Sequence, residues 1–86
     1  MKHHEKILKA LANGRRLEIL KYIKNKKEAN VGDIASHIKL SFKSTSRHLA
    51  ILQSVDILEK EQRNVTVFYS LNQQMNFLAK LVISKI

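Results

Sequence analysis

The chain has 86 residues, 44% of them apolar, with three Phe, two Tyr and no Trp, which suffices for one small folded domain, residues 1–86, without a low-complexity run that would argue for disorder. Sixteen Lys and Arg against seven Asp and Glu give a formal charge of +9, which favours an anionic partner such as nucleic acid, although solubility alone also explains a charged surface. The lack of cysteine excludes a disulfide framework, a thiolate metal site and a cysteine redox switch and fits a reducing cytoplasm, while apolar runs of only a few residues argue against a membrane span or a signal peptide.

Residues 2–12 read as an amphipathic helix with Ile7, Leu8 and Leu11 on one side and Lys2, Lys6 and Lys9 largely on the other. His3 and His4 stand at its start, and two adjacent histidines supply too few ligands for a defined metal site. Asn13 and Gly14 break the pattern. Asn13 suits the N-cap of a second helix over about 14–25, whose Leu17, Ile19, Leu20 and Ile23 belong in the core. That helix ends in Lys24, Asn25, Lys26 and Lys27, either a contact to a phosphate backbone or a solvated end favoured by the macrodipole. Glu28 and Ala29 make a short connector.

Asn30, with Asp33 three residues later, is a capping-box variant that opens a helix of about eight residues with Val31, Ile34 and Ile38 as its apolar stripe. Lys39 and Leu40 form the turn. Ser41 then caps a further helix, in which Thr45, Leu49 and Leu52 fall at i, i+4 and i+7, leaving Lys43, Ser44, Arg47 and Ala50 to point outward. Two short helices joined by a tight turn, the second with hydroxyl and cationic donors on its free face, are the pattern of a helix-turn-helix. The chain is organised around this pair.

Beyond Gln53 and Ser54 the period changes. Ile57, Glu59 and Glu61 alternate with Leu58, Lys60 and Gln62, and Val65–Leu71 is rich in β-branched and aromatic residues, so the spacing predicts a β-hairpin. Val65, Val67, Tyr69 and Leu71 are expected on one face, with Gln62, Arg63 and Asn64 at a polar tip. Arg63 there either reaches a phosphate or a minor groove, or is simply a polar tip residue. Asn72 is expected to cap a last helix carrying Met75, Leu78, Leu81, Val82 and Ile86, an apolar load for which a second copy of the chain is the natural cover.

The order of elements, α-α-α-α-β-β-α, resembles the winged helix-turn-helix of the ArsR-type bacterial and archaeal transcriptional repressors over nearly the whole chain. Three stretches carry the resemblance: Leu11–Leu20, with its Leu-Ala, turn and Arg-Leu-x-Ile-Leu; Leu40 and Ser41 followed by Ser46, Arg47, His48, Leu49 and Leu52; and Val67–Leu71, similar to the strand that closes the family's wing. The resemblance implies a mainly α fold with a small hairpin. It also implies a homodimer built from the first and last helices, with Ile7, Leu8, Leu11, Met75, Leu78, Leu81 and Val82 at the interface. Two recognition helices would then enter successive major grooves of a partly palindromic operator in double-stranded DNA. The residues expected to meet DNA are Ser41, Phe42, Lys43, Ser44, Ser46, Arg47, His48 and Arg63. Arg47 suits a bidentate contact to guanine or a clamp on phosphate, and His48 a packing or phosphate-contact role. Phe42 departs from the polar residue common at its position, and either packs against the turn or touches a thymine methyl.

The family's frequent metal sites are not matched. Asn30 and Gly32 stand where metal sensors place two Cys, and residues 72–86 contain no Asp, Glu, His or Cys. No metal or other cofactor is expected, and any effector is left open. The rival use of such a fold is docking of protein or RNA. An enzyme is disfavoured, because no nucleophile-base spacing, metal cluster or Gly-rich phosphate loop occurs.

Overall fold

A computed structural model describes residues 2–86, which form α1 (Lys2–Leu11), α2 (Gly14–Lys26), β1 (Glu28–Asn30), α3 (Val31–Ile38), α4 (Phe42–Ser54), β2 (Leu58–Arg63), β3 (Thr66–Leu71) and α5 (Phe77–Ser84). Helix starts follow the side-chain acceptors. Asn13 accepts from the Arg16 amide at 3.1 Å, Asn30 from Asp33 at 2.8 Å and Ser41 from Ser44 at 3.1 Å, so each N-cap satisfies one otherwise orphaned donor. Helix α3 closes on Lys39 in the left-handed conformation, φ 57 and ψ 50, which turns the chain sharply into α4.

The last helix begins later than the sequence suggests. Asn72 does not cap it: its side chain accepts from the Gln74 amide at 2.9 Å and its carbonyl from the Met75 amide at 3.0 Å, forming a turn of its own. That turn drops Met75 into the core, and Asn76 then caps α5 by accepting from the Leu78 amide at 2.8 Å.

Helix α2 lies at the centre, with Ile19, Leu20 and Ile23 fully buried against Ile7 of α1, Ile34 and Ile38 of α3, Leu49 and Leu52 of α4, and Ile83 of α5. Burial of each such aliphatic side chain contributes roughly 2 kcal/mol, so the stripe Thr45, Leu49 and Leu52 fixes which way α4 faces. It faces as the spacing predicts. Thr45 is fully buried with its Oγ1 unpaired. No described helix is long and apolar enough to cross a membrane.

The predicted hairpin forms, and the connector before α3 widens it into a three-stranded antiparallel sheet of order β1-β3-β2. Ala29 pairs with Tyr69, and Leu58 with Leu71, so Ala29, Leu58 and Tyr69 turn one face toward the helices. The turn is Asn64-Val65 rather than Gln62–Asn64, because Arg63 still pairs with Thr66. Asn64 takes the positive φ of 58 that such a tight hairpin turn needs. Val65 therefore leaves the strand face expected for it and is 93% exposed at the tip.

Candidate nucleic-acid interface

The outward face of α4 is built by default, as what remains once Thr45, Leu49 and Leu52 are buried. Ser41, Phe42, Lys43 and Arg47 are exposed, and Ser44, Ser46 and His48 half-buried. Ser41 directs the positive end of the helix dipole outward beside these donors. Between Asp33 and Asp56 the chain has no acidic residue, so nothing on α4 opposes that field.

The four arginines divide in an informative way. Arg15 donates from Nη1 to the carbonyl of Ile38 at the end of α3. Arg16 donates from Nη1 to the carbonyls of Lys9 at 3.3 Å and Ala10 at 3.2 Å, at the end of α1, and from Nε to Nδ1 of His48 at 3.2 Å. Arg63 is drawn back across the outer face of the sheet, its guanidinium 3.9 Å from the centre of the Phe68 ring, paired with Glu28 on β1 and 3.8 Å from Glu61. Its hydrogen bond to Glu28 raises its pKa further. Arg47 has no hydrogen-bond or acidic partner among the described residues; it is the free one.

His48 is tied to α2 through one ring nitrogen. Because Nδ1 accepts from Arg16, the ring is neutral and carries its proton on Nε2. Burial, then the charges of Arg16 and Arg15, hold its pKa below the ordinary histidine value. His37 is engaged elsewhere, stacked on Tyr22 with ring centres 4.3 Å apart. No cluster of three or more potential metal ligands occurs among the described residues.

Helix α1 packs against α5. Of the residues expected at a dimer interface, Ile7, Leu11 and Met75 are instead part of the chain's own core, at 0%, 4% and 8% exposure. Their stripe faces α2 and leaves Leu8, one position round the helix, outside. Leu8 and Leu81 are exposed, Leu78 and Val82 half-buried, and the patch gains Phe77, 66% exposed, which the sequence reading missed. The spacing of Phe77 and Leu81, one helical turn apart, was the available signal. Arg15 and Arg16 were missed too, as ties between helices, since their acceptors are carbonyls that no residue pattern reveals.

A profile of bacterial regulatory proteins of the arsR family matches residues 13–60, from the cap of α2 into β2. Over 66 residues, 77% of the chain, the sequence is 39% identical to the transcriptional activator HlyU of Vibrio cholerae, although the match spans only 60% of that protein's length. Over 66 residues it is 33% identical to the transcriptional repressor SdpR of Bacillus subtilis, covering 77% of this chain and 72% of the repressor. The solved structure of the Vibrio cholerae HlyU superposes with a TM-score of 0.83 at 33% identity, over 98% of this chain and 84% of that one. A homodimeric winged helix-turn-helix DNA-binding domain from Mycobacterium bovis gives 0.84 at 27% identity, over 98% and 74%. Family profile, relatives and fold agree with the exposed donors of α4: the chain belongs to the arsR family of bacterial regulatory proteins, as a winged helix-turn-helix DNA-binding transcriptional regulator.

Proposed function

We propose that the chain acts as a homodimeric, sequence-specific repressor in the cytoplasm, with one α4 in the major groove of each half of a partly palindromic operator. The observation that carries this reading is Arg47, an unpartnered guanidinium on an acid-free helix face, flanked by Lys43, Ser44 and Ser46. Arg47 makes a bidentate contact to guanine or clamps a phosphate; His48 donates from Nε2 to a phosphate. Ser41 and Lys43 hold the backbone where the helix starts, and Ser44 and Ser46 add hydroxyl contacts to base edges or sugar-phosphate. Arg63 adds a contact by exchanging Glu28 for a phosphate, a small gain because one anion replaces another.

The exposed apolar patch of α1 and α5 supports the dimer: Leu8, Phe77 and Leu81 are 49%, 66% and 56% exposed on adjoining helices, and a second copy covers them symmetrically. The relative from Bacillus subtilis is named a repressor and that from Vibrio cholerae an activator; occupation of an operator within a promoter favours repression by exclusion.

Selection from a random duplex library at two salt concentrations tests the reading. The expected result is enrichment of a partly palindromic site, affinity that falls steeply with salt, loss of about 1–3 kcal/mol in Arg47→Ala, and reduced transcription in vitro from a promoter carrying the site. No enriched sequence, with Arg47→Ala silent, would replace DNA by a protein or RNA partner.

A further inference from the structure

Phe42 has an environment that neither the fold nor the dimer explains. It is the first residue of α4, one position past the Ser41 cap, and 63% of its surface is exposed. It does not pack into the turn. The ring instead forms one wall of an open groove of about 460 Å³, with Ser46 one turn along the same helix, Gly32 of α3 beside it, and Val65, Thr66 and Val67 of the wing opposite. A large apolar ring left in water beside the donors of α4 gains further burial only from whatever occupies that groove.

We propose that Phe42 is a specificity-determining residue that contacts the C5-methyl of a thymine in the major groove. This rests on the operator-binding reading given above. In that reading α4 lies in the major groove with Ser41 and Lys43 on the backbone at its start, and the Phe42 ring between them, which offers no hydrogen-bonding atom, is left to meet a base edge. It therefore distinguishes base pairs only by apolar contact, and the methyl of thymine is the apolar group that the major-groove edge presents. Ser46, at i+4 on the same groove wall, stands beside it to hydrogen-bond the neighbouring base edge. A cytosine or guanine at that position would bury a polar edge against the ring without a partner, so discrimination comes from rejection as well as attraction.

The test replaces each thymine of the selected operator, one at a time, by deoxyuridine, which removes the methyl and leaves every hydrogen-bonding group. Affinity is read by fluorescence anisotropy with the full chain and with Phe42→Ala and Phe42→Leu. For the wild type, one symmetry-related thymine position should lose about fourfold in affinity per methyl removed, the worth of one buried methyl group. Phe42→Ala should bind the thymine operator more weakly and be indifferent to uracil at that position alone, and Phe42→Leu should keep part of the sensitivity. Because the ring is exposed, Phe42→Ala should retain the wild-type melting temperature and dimer mass. An enriched operator with no uracil-sensitive thymine, or equal sensitivity in wild type and Phe42→Ala, overturns the proposal and leaves operator binding standing. Loss of the dimer in Phe42→Ala overturns it in favour of a subunit contact. Failure to enrich any operator overturns both readings together.

Discussion

Replacing Arg16 by alanine should loosen the junction of three helices by a predictable amount. The last four carbonyls of α1 are all satisfied: Leu8 keeps a helical bond from the Ala12 amide at 2.9 Å, Leu11 accepts from the Asn13 amide at 2.8 Å, and Lys9 and Ala10, short of helical donors, accept from Arg16. Arg16→Ala orphans two of these and also Nδ1 of His48. The Lys9 contact is exposed, so that carbonyl rehydrates at little cost, whereas the Ala10 and His48 contacts are part-buried and lose about 1 kcal/mol each. Removing a cation from the first turn of α2 returns a few tenths of a kcal/mol through the dipole, leaving a net loss of about 2 kcal/mol. For a chain of this size, stable by roughly 5–10 kcal/mol, that is a large share. Urea unfolding should show the midpoint falling by about 1 M at unchanged slope. Arg16→Lys should recover only part, since an ammonium does not span His48 and two carbonyls at once. In a double-mutant cycle, His48→Ala should couple to Arg16→Ala by about 1 kcal/mol. A loss below about 0.5 kcal/mol, or strict additivity with His48→Ala, would refute the junction.

Other substitutions test separate parts. Leu81→Glu places a charge on the exposed apolar patch and should shift sedimentation equilibrium from dimer to monomer with the monomer fold intact by circular dichroism; an unchanged dimer would move the interface elsewhere. Thr45→Val keeps the β-branched shape but removes a fully buried hydroxyl without a partner, and should raise stability by about 1 kcal/mol in urea, with a destabilised variant pointing to a hidden partner for Oγ1. The pKa of His48 is depressed in the folded chain, so as pH falls below the ordinary 6.5 the unfolded chain binds the proton first. Its contribution is therefore full above 6.5 and lost as pH falls toward the folded value. Unfolding midpoints between about pH 7.5 and about pH 5.5 should decline less in His48→Gln than in the wild type, and equal declines would assign the dependence to other groups.

The helices were legible because their signals are local. Asn13, Asn30 and Ser41 cap where their spacing to the next apolar stripe says they should, and Thr45, Leu49 and Leu52 bury as an i, i+4, i+7 set. Local signals also mislead where one residue type serves two motifs: Asn72 and Asn76 are both good caps, and only the need to sink Met75 decides between a turn and a helix start. Strand β1 escaped because three residues show no period; its partner β3 lies about forty positions away, with Glu28 opposite Ser70. The pairing of Arg63 with Glu28 is hidden for the same reason, since the two are distant in sequence. Apolar counting likewise does not separate core from exposed patch, so Ile7, Leu11 and Met75 fall together with Leu8 and Leu81 in the sequence.

The excess of positive charge has two uses that the sequence does not distinguish. Helix α2 directs three cations to the C-terminal ends of three different helices: Arg15 to Ile38 of α3, Arg16 to Lys9 and Ala10 of α1, and Lys24, through Nζ, to Ile83 of α5 at 2.9 Å. Each end carries the negative pole of a helix dipole and carbonyls short of donors, so a cation there completes a hydrogen bond and a favourable charge contact together. The basic end of α2, equally readable as a DNA contact, is thus partly structural at Lys24. Ile38 is the residue just before the left-handed Lys39, so the hold of Arg15 on its carbonyl sets where α3 stops and the turn begins. Arg16 meanwhile holds His48 on α4 itself. The central helix thus ties down both the turn and α4 through Arg15 and Arg16, and leaves Arg47 as the guanidinium without a partner among the described residues.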